Sequence, residues 1–167
     1  MEDQAAMVPS VEDRTRWIER LARFPEELTA RVAGLTPAQL DCRVAGDPWT
    51  IAQIVHHCAD SHMNSFIRLK LVLTEATPPL KGYDQDAWAR MADERAAPID
   101  ASLTILRGLH ARWVTIFRNV ADDEWRKTGL HSESGPMSVV DLLAGYAEHC
   151  DEHLAQIDRI KAAPDFT

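Results

Sequence analysis

The chain has 167 residues, of which 46% are apolar and 26% charged, so it is long enough to bury a core and ordinary for a globular protein. Its 26 acids against 18 bases leave a net charge of −8, which argues against binding a phosphate backbone, since that needs a concentrated basic surface. Three cysteines, Cys42, Cys58 and Cys150, form an odd set without CxxC spacing, which argues against a disulfide framework or a zinc–thiolate site.

The first residues are polar and acidic, without the basic and apolar regions of a signal peptide, and no apolar run is long enough to span a bilayer. A cytoplasmic protein with no membrane and no nucleic-acid partner is expected. Base rates for an enzyme of this size suggest a homodimer. The domain reading is a tail over residues 1–10, one bundle domain over 11–161 and a short tail over 162–167.

Along the chain, Ser10 is placed to cap a first helix through Trp17 and Leu21. Pro25 is expected to interrupt it and to open a second helix from Glu26 to Val32. Thr36-Pro37-Ala38-Gln39 is a capping box with proline in the first turn. Thr50-Ile51-Ala52-Gln53 is another, and it opens a long helix to about Thr74 that is apolar on most sides. Asp84 suits the cap of a short helix around Trp88, and Pro98 to Val120 reads as a third long helix. Asp122 begins a turn containing Trp125. Lys127 to Pro136 reads as a loop or small hairpin, and Ser138 caps a last long helix to about Lys161. No period-2 strand stands out. The pattern predicts an all-α fold, a four-helix bundle with short extra helices.

Chemistry concentrates on three histidines. His149 and His153 lie one turn apart, about 40° from each other on one helical face. His57, from the long upstream helix, completes the three-protein-ligand arrangement that leaves a divalent metal open to water or substrate. On the His57 helix, Ser61, Asn64 and Arg68 fall within about 40° of His57, and Asp60 about 60° to one side. A polar row on a mostly buried helix suits a wet pocket. Ser61, Asn64 and Arg68 are candidates to bind substrate or cofactor, with His131 at the pocket mouth. Glu152 and Asp60 are candidates to orient a ligand or accept a proton. The spacing is not His-Glu-x-x-His, because Cys150 follows His149, so a zincin protease is excluded. His62 points about 140° away from His57 and is a weak fourth-ligand candidate, while His110 reads as a core group.

The stretch from Pro48 to Arg68, PWTIAQIVHHCADSHMNSFIR, resembles the first signature of the DinB superfamily, and its Asp-Ser-His-Met-Asn run resembles the YfiT-like branch. Tyr146-x-x-His149-x-x-x-His153-x-x-x-Ile157 resembles the second signature. Leu109-His110-x-Arg112-Trp113 and Thr74-Glu75-x-Thr77-Pro78 are also similar to that branch, and the likeness spans about Trp17 to Ile160. The resemblance implies a four-helix bundle holding nickel or zinc on three histidines, at positions 57, 149 and 153 here. It also implies a metal-dependent hydrolase of small molecules, or a transferase acting with a low-molecular-weight thiol such as bacillithiol. A non-catalytic metal- or ligand-binding module is the remaining expectation. The extra histidines that some branch members carry between the two downstream ligands are replaced here by Cys150, Asp151 and Glu152.

Overall fold

The computed structural model describes residues 9–166; the expected tail over 1–10 falls almost wholly outside them, as does Thr167. Four long helices carry the architecture. They are α1 (Val11–Val32), α3 (Ile51–Thr74), α6 (Ile99–Phe117) and α7 (Val139–Lys161), with the short helices α2 (Pro37–Leu40), α4 (Gln85–Trp88) and α5 (Ala92–Ala96) in the connections. A 3-10 turn at Glu124–Arg126 buries Trp125 beneath the bundle end.

Capping chemistry sets the helix starts. Ser10 accepts a hydrogen bond from the Asp13 amide, and Thr50 and Ser138 each form a reciprocal capping box, with Gln53 and Asp141. α1 buries Ile18, Leu21, Phe24, Leu28 and Val32 at helical spacing. α3 buries residues on most of its circumference, as expected of a central helix. α1 packs against α6 and α7, and α3 packs against the same two helices. The four therefore form a ring in the order α1–α6–α3–α7. The first two long helices of the chain are not the principal neighbours of each other.

One sequence expectation is corrected, one element is new, and one open choice is settled. Pro25 does not break the first helix; α1 runs through it without interruption. The missing proline N–H would have served the Leu21 carbonyl, and that carbonyl finds another donor, His110 Nδ1 at 2.7 Å. α5 was not anticipated at all. The stretch before α7 is a true hairpin, β2 (Thr128–His131) with β3 (Gly135–Ser138), and the two-residue β1 (Pro79–Leu80) joins β2 in parallel. Strands of two to four residues are too short to show a period. Gly129 permits the close approach of β1, because a Cβ there would meet Leu80 Cδ1 at 2.8 Å. Among the described residues, no helix is long and apolar enough to cross a membrane.

Candidate metal centre

His57 lies two turns inside α3, and His149 and His153 lie near the middle of α7, and α3 and α7 pack together. The three side chains converge. His149 Nε2 lies 3.3 Å from His57 Nε2 and 3.1 Å from His153 Nε2, and one ligand atom from each ring falls within 4.8 Å of the others. Two donors each about 2.1 Å from one ion, at tetrahedral or octahedral angles, stand roughly 3.0–3.4 Å apart. Both spacings from His149 fit donors on a single ion, and the third pair, His57 and His153, stays within 4.8 Å.

Electrostatics agree with that donor set. Burial, then the nearby His153, pushes His57 down to about 3. Burial also drives His149 well below its ordinary value, with His153 and His57 adding to the effect. His153 is lowered by burial too, against the opposing effect of its hydrogen bond to Gln156. All three rings are therefore neutral near pH 7, the state in which imidazole ligates.

The orientation of His153 is held by two residues that carried no role in the sequence reading. Its Nδ1–H donates to Gln156 Oε1 at 2.7 Å, and Gln156 Nε2 donates to both carboxylate oxygens of Asp47, at 2.8 Å each. A carboxylate only accepts, so Asp47 fixes which way the Gln156 amide points. That in turn puts the His153 proton on Nδ1 and leaves Nε2 bare toward the other rings. Gln156 three residues after His153 was a legible signal; Asp47, in the loop before α3, was not. Trp49 covers the rings from one side, its centroid 4.4 Å from that of His57 and 6.3 Å from that of His153. Its Nε1–H is spent on Asp86 of α4.

The other candidates are placed differently from one another. Ser61 is buried, and its Oγ lies 3.1 Å from the hydroxyl of Tyr146, which also donates to the Ser61 carbonyl. Asn64 donates to the Asp60 carbonyl and lines a cleft of about 350 Å³ with Lys81, Gly82, Tyr83, Asp84 and Trp88. Arg68 is buried and donates to the Lys81 carbonyl at 2.6 Å. His131 is buried in β2 rather than set in a loop, and its Nδ1 accepts from the amides of Glu133 and Ser134, so it secures its own hairpin turn. Asp60 is half-buried, and burial followed by the Asp93 carboxylate of α5 raises it. Glu152 is exposed and lines a groove with Arg16, Trp17 and Arg20 on the α1 side of α7. Neither the Asp60 nor the Glu152 carboxylate belongs to the group close enough to share an ion with the three histidines. Cys58 and Cys150 are fully buried free thiols, both raised by burial, and they stand outside the group as well.

Comparison with known proteins agrees with this architecture. The model of the DinB superfamily matches residues 14–157. The "Putative metal-dependent hydrolase YfiT" of Bacillus subtilis (strain 168) is 37% identical over 152 residues, covering 90% of this chain and 85% of its own. The "Putative metal-dependent hydrolase OB0782" of Oceanobacillus iheyensis is 38% identical over 150 residues, covering 90% of this chain and 87% of its own. The solved structure of YfiT from Bacillus subtilis, described as having "an unusual four-helix bundle topology", superposes with a TM-score of 0.88 at 34% identity, covering 96% of this chain and 91% of that one. A ring of four long helices in which α1 and α3 stand diagonally, a three-histidine cluster between α3 and α7, and these alignments all lead to one assignment: the chain belongs to the DinB superfamily.

Proposed function

We propose that this protein is a metal-dependent enzyme acting on small molecules, with His57, His149 and His153 holding one divalent ion. The observation that carries the reading is the convergence of three Nε2 atoms, from helices whose ligands are 92 positions apart in sequence, to spacings of 3.1 and 3.3 Å. When bound, such an ion supplies a lowered pKa to a water or thiol nucleophile at an open position. Three imidazoles are borderline donors that suit nickel or zinc.

The remaining work falls to the chain itself. Asp47 and Gln156 hold His153 in its ligating orientation. Trp49 shields the His57 face from bulk water. Burial lowers His131 and raises the Tyr83 and Tyr146 hydroxyls, and the Arg68 charge adds to the first and opposes the other two, so its field reaches the cleft that Tyr83 and Asn64 line. We assign Arg68 to draw in an anionic group of the substrate or of a low-molecular-weight thiol, and Asn64 and Ser61 to orient it. Asp60, whose charge also reaches the Tyr83 hydroxyl, is the better-placed proton acceptor of the two carboxylates. Glu152 faces the α1 groove. The names of the relatives favour water as the nucleophile; the Arg68 charge beside the cleft favours an anionic thiol.

The test loads the protein with zinc or nickel and offers two substrate sets, esters and amides in water, and an epoxide or chlorinated aromatic with a low-molecular-weight thiol. Turnover in either set, abolished in His153→Ala, supports the enzyme and chooses the nucleophile. Tight metal binding with no turnover in either set would instead make the bundle a metal- or ligand-binding module.

A further inference from the structure

One hydrogen-bonded row runs through all four long helices in their packing order. The Leu21 carbonyl of α1 lies 2.7 Å from His110 Nδ1 on α6. His110 Nε2 lies 2.8 Å from His62 Nδ1 on α3. His62 Nε2 lies 3.1 Å from His149 Nδ1 on α7. The opposite nitrogen of His149 is the one that faces His57 and His153.

The direction of every link follows from the carbonyl at the end. A carbonyl only accepts, so His110 carries its proton on Nδ1. His62 and His110 are 0% and 1% exposed, and neither hydrogen-bonds a carboxylate among the described residues. A second proton on either ring would leave a cation in the core without water or counter-ion, at high cost. Each ring thus holds one proton. His110 Nε2 is bare, so His62 donates through Nδ1. His62 Nε2 is then bare, so His149 donates through Nδ1 and keeps Nε2 free. Pro25 contributes at the origin of the row: it has no N–H to offer the Leu21 carbonyl, its partner in a regular helix.

We propose that His62 and His110 are positioning residues of the metal centre: the row from Leu21 through His110 and His62 selects the His149 tautomer whose Nε2 ligates the ion, as Asp47 and Gln156 do for His153. This rests on the metal reading given above. Both anchors end on groups that can only accept, a carbonyl in one case and a carboxylate in the other. Together they leave His149 Nε2 and His153 Nε2 bare and 3.1 Å apart, with no proton to bridge them. Two facing lone pairs at that distance repel each other until a cation lies between them.

The first test needs neither metal nor mutation. Two-bond 1H–15N correlation spectra of the metal-free protein at pH 7.5 are expected to show His110, His62 and His149 each protonated at Nδ1 and bare at Nε2. A proton on Nε2 of His62 or His149, or averaging between the two nitrogens, overturns the proposal. The second test titrates His62→Leu and His62→Gln, each checked as folded by circular dichroism, with cobalt(II), followed by its visible absorption. His62→Leu is expected to lose about 10–100-fold in affinity, the usual loss when an outer partner of a ligand is removed. His62→Gln, whose amide can donate to His110 and accept from His149, is expected to stay within several-fold of the parent. Parental affinity in His62→Leu overturns the proposal, and if that variant fails to fold, the spectra of the unmutated protein decide. The predicted tautomers in a protein that binds no cobalt, zinc or nickel would sink the metal reading and the proposal with it. Tight binding with the wrong tautomers would sink the proposal alone.

Discussion

Gln156 shows how much of the site is decided by single atoms. Its amide stands between an acceptor-only carboxylate and the His153 ring, so its own orientation sets the protonation of a ligand. Replacing it with leucine removes both links while leaving the helix intact. Gln156→Leu is expected to weaken zinc binding by about 10–100-fold by isothermal titration calorimetry, with little change in thermal stability. Unchanged affinity would show that Asp47 and Gln156 serve only to tie the loop before α3 to α7. At this scale the candidate ligands His149 and His153 were readable in advance, because an i, i+4 pair on one face is a local pattern. Of the two supports of His153, Gln156 was within the same local reach and Asp47 was not. Asp47 lies 109 positions from Gln156, and nothing local to either residue announces the contact.

At the scale of elements, capping chemistry was the most legible feature. Thr50 and Gln53 begin α3 where the sequence pattern places the start, and the rest of α3, His57 included, takes its register from there. Thr50→Ala is expected to cost about 1 kcal/mol in urea unfolding, the usual loss of an N-cap, while leaving metal affinity nearly unchanged because helix packing still holds His57. Pro25 taught the opposite lesson. Proline in a helix interior costs about 3 kcal/mol where its freed carbonyl goes unserved. In α1 that carbonyl is taken by His110, a contact spanning 89 positions. Pro25→Ala is therefore expected to stabilise the protein by less than about 1 kcal/mol, since the new N–H would compete with His110 for the Leu21 carbonyl. A gain near the full helix-propensity value, measured in the same urea assay, would show that the His110 bond contributes little. The hairpin was anticipated only as one of two options, and β1 not at all, because a two-residue strand exists only by virtue of the partner it pairs with.

For the whole molecule, buried ionisable groups set the pH dependence of stability. His110 is held down to about 4 from an ordinary 6.5, chiefly by burial. The unfolded chain therefore takes up this proton first as pH falls. Its contribution is fully present above pH 6.5 and is lost progressively down to about 4, by up to about 3 kcal/mol. Glu94, raised to about 7 by burial and then by Asp60, works the other way: it favours the folded state at low pH and loses that contribution as pH rises from 4.5 to 7. Urea unfolding of the metal-free protein between pH 7.5 and 4 should show a falling acid limb that is shallower in His110→Gln and steeper in Glu94→Gln. An acid limb unchanged in His110→Gln would rule out His110 as a source of it. Hydrophobic spacing, capping boxes and the histidine pair, all local in the chain, were enough by themselves to determine three of the four long helices, the start of the other, and the pairing of His149 with His153. The ring order α1–α6–α3–α7 was decided only by tertiary packing, and with it the path by which Leu21, His110, His62 and His149 meet. The physical reason is that local pattern dictates which face of a helix is apolar, whereas the choice of neighbour depends on how four such faces fill one interior together.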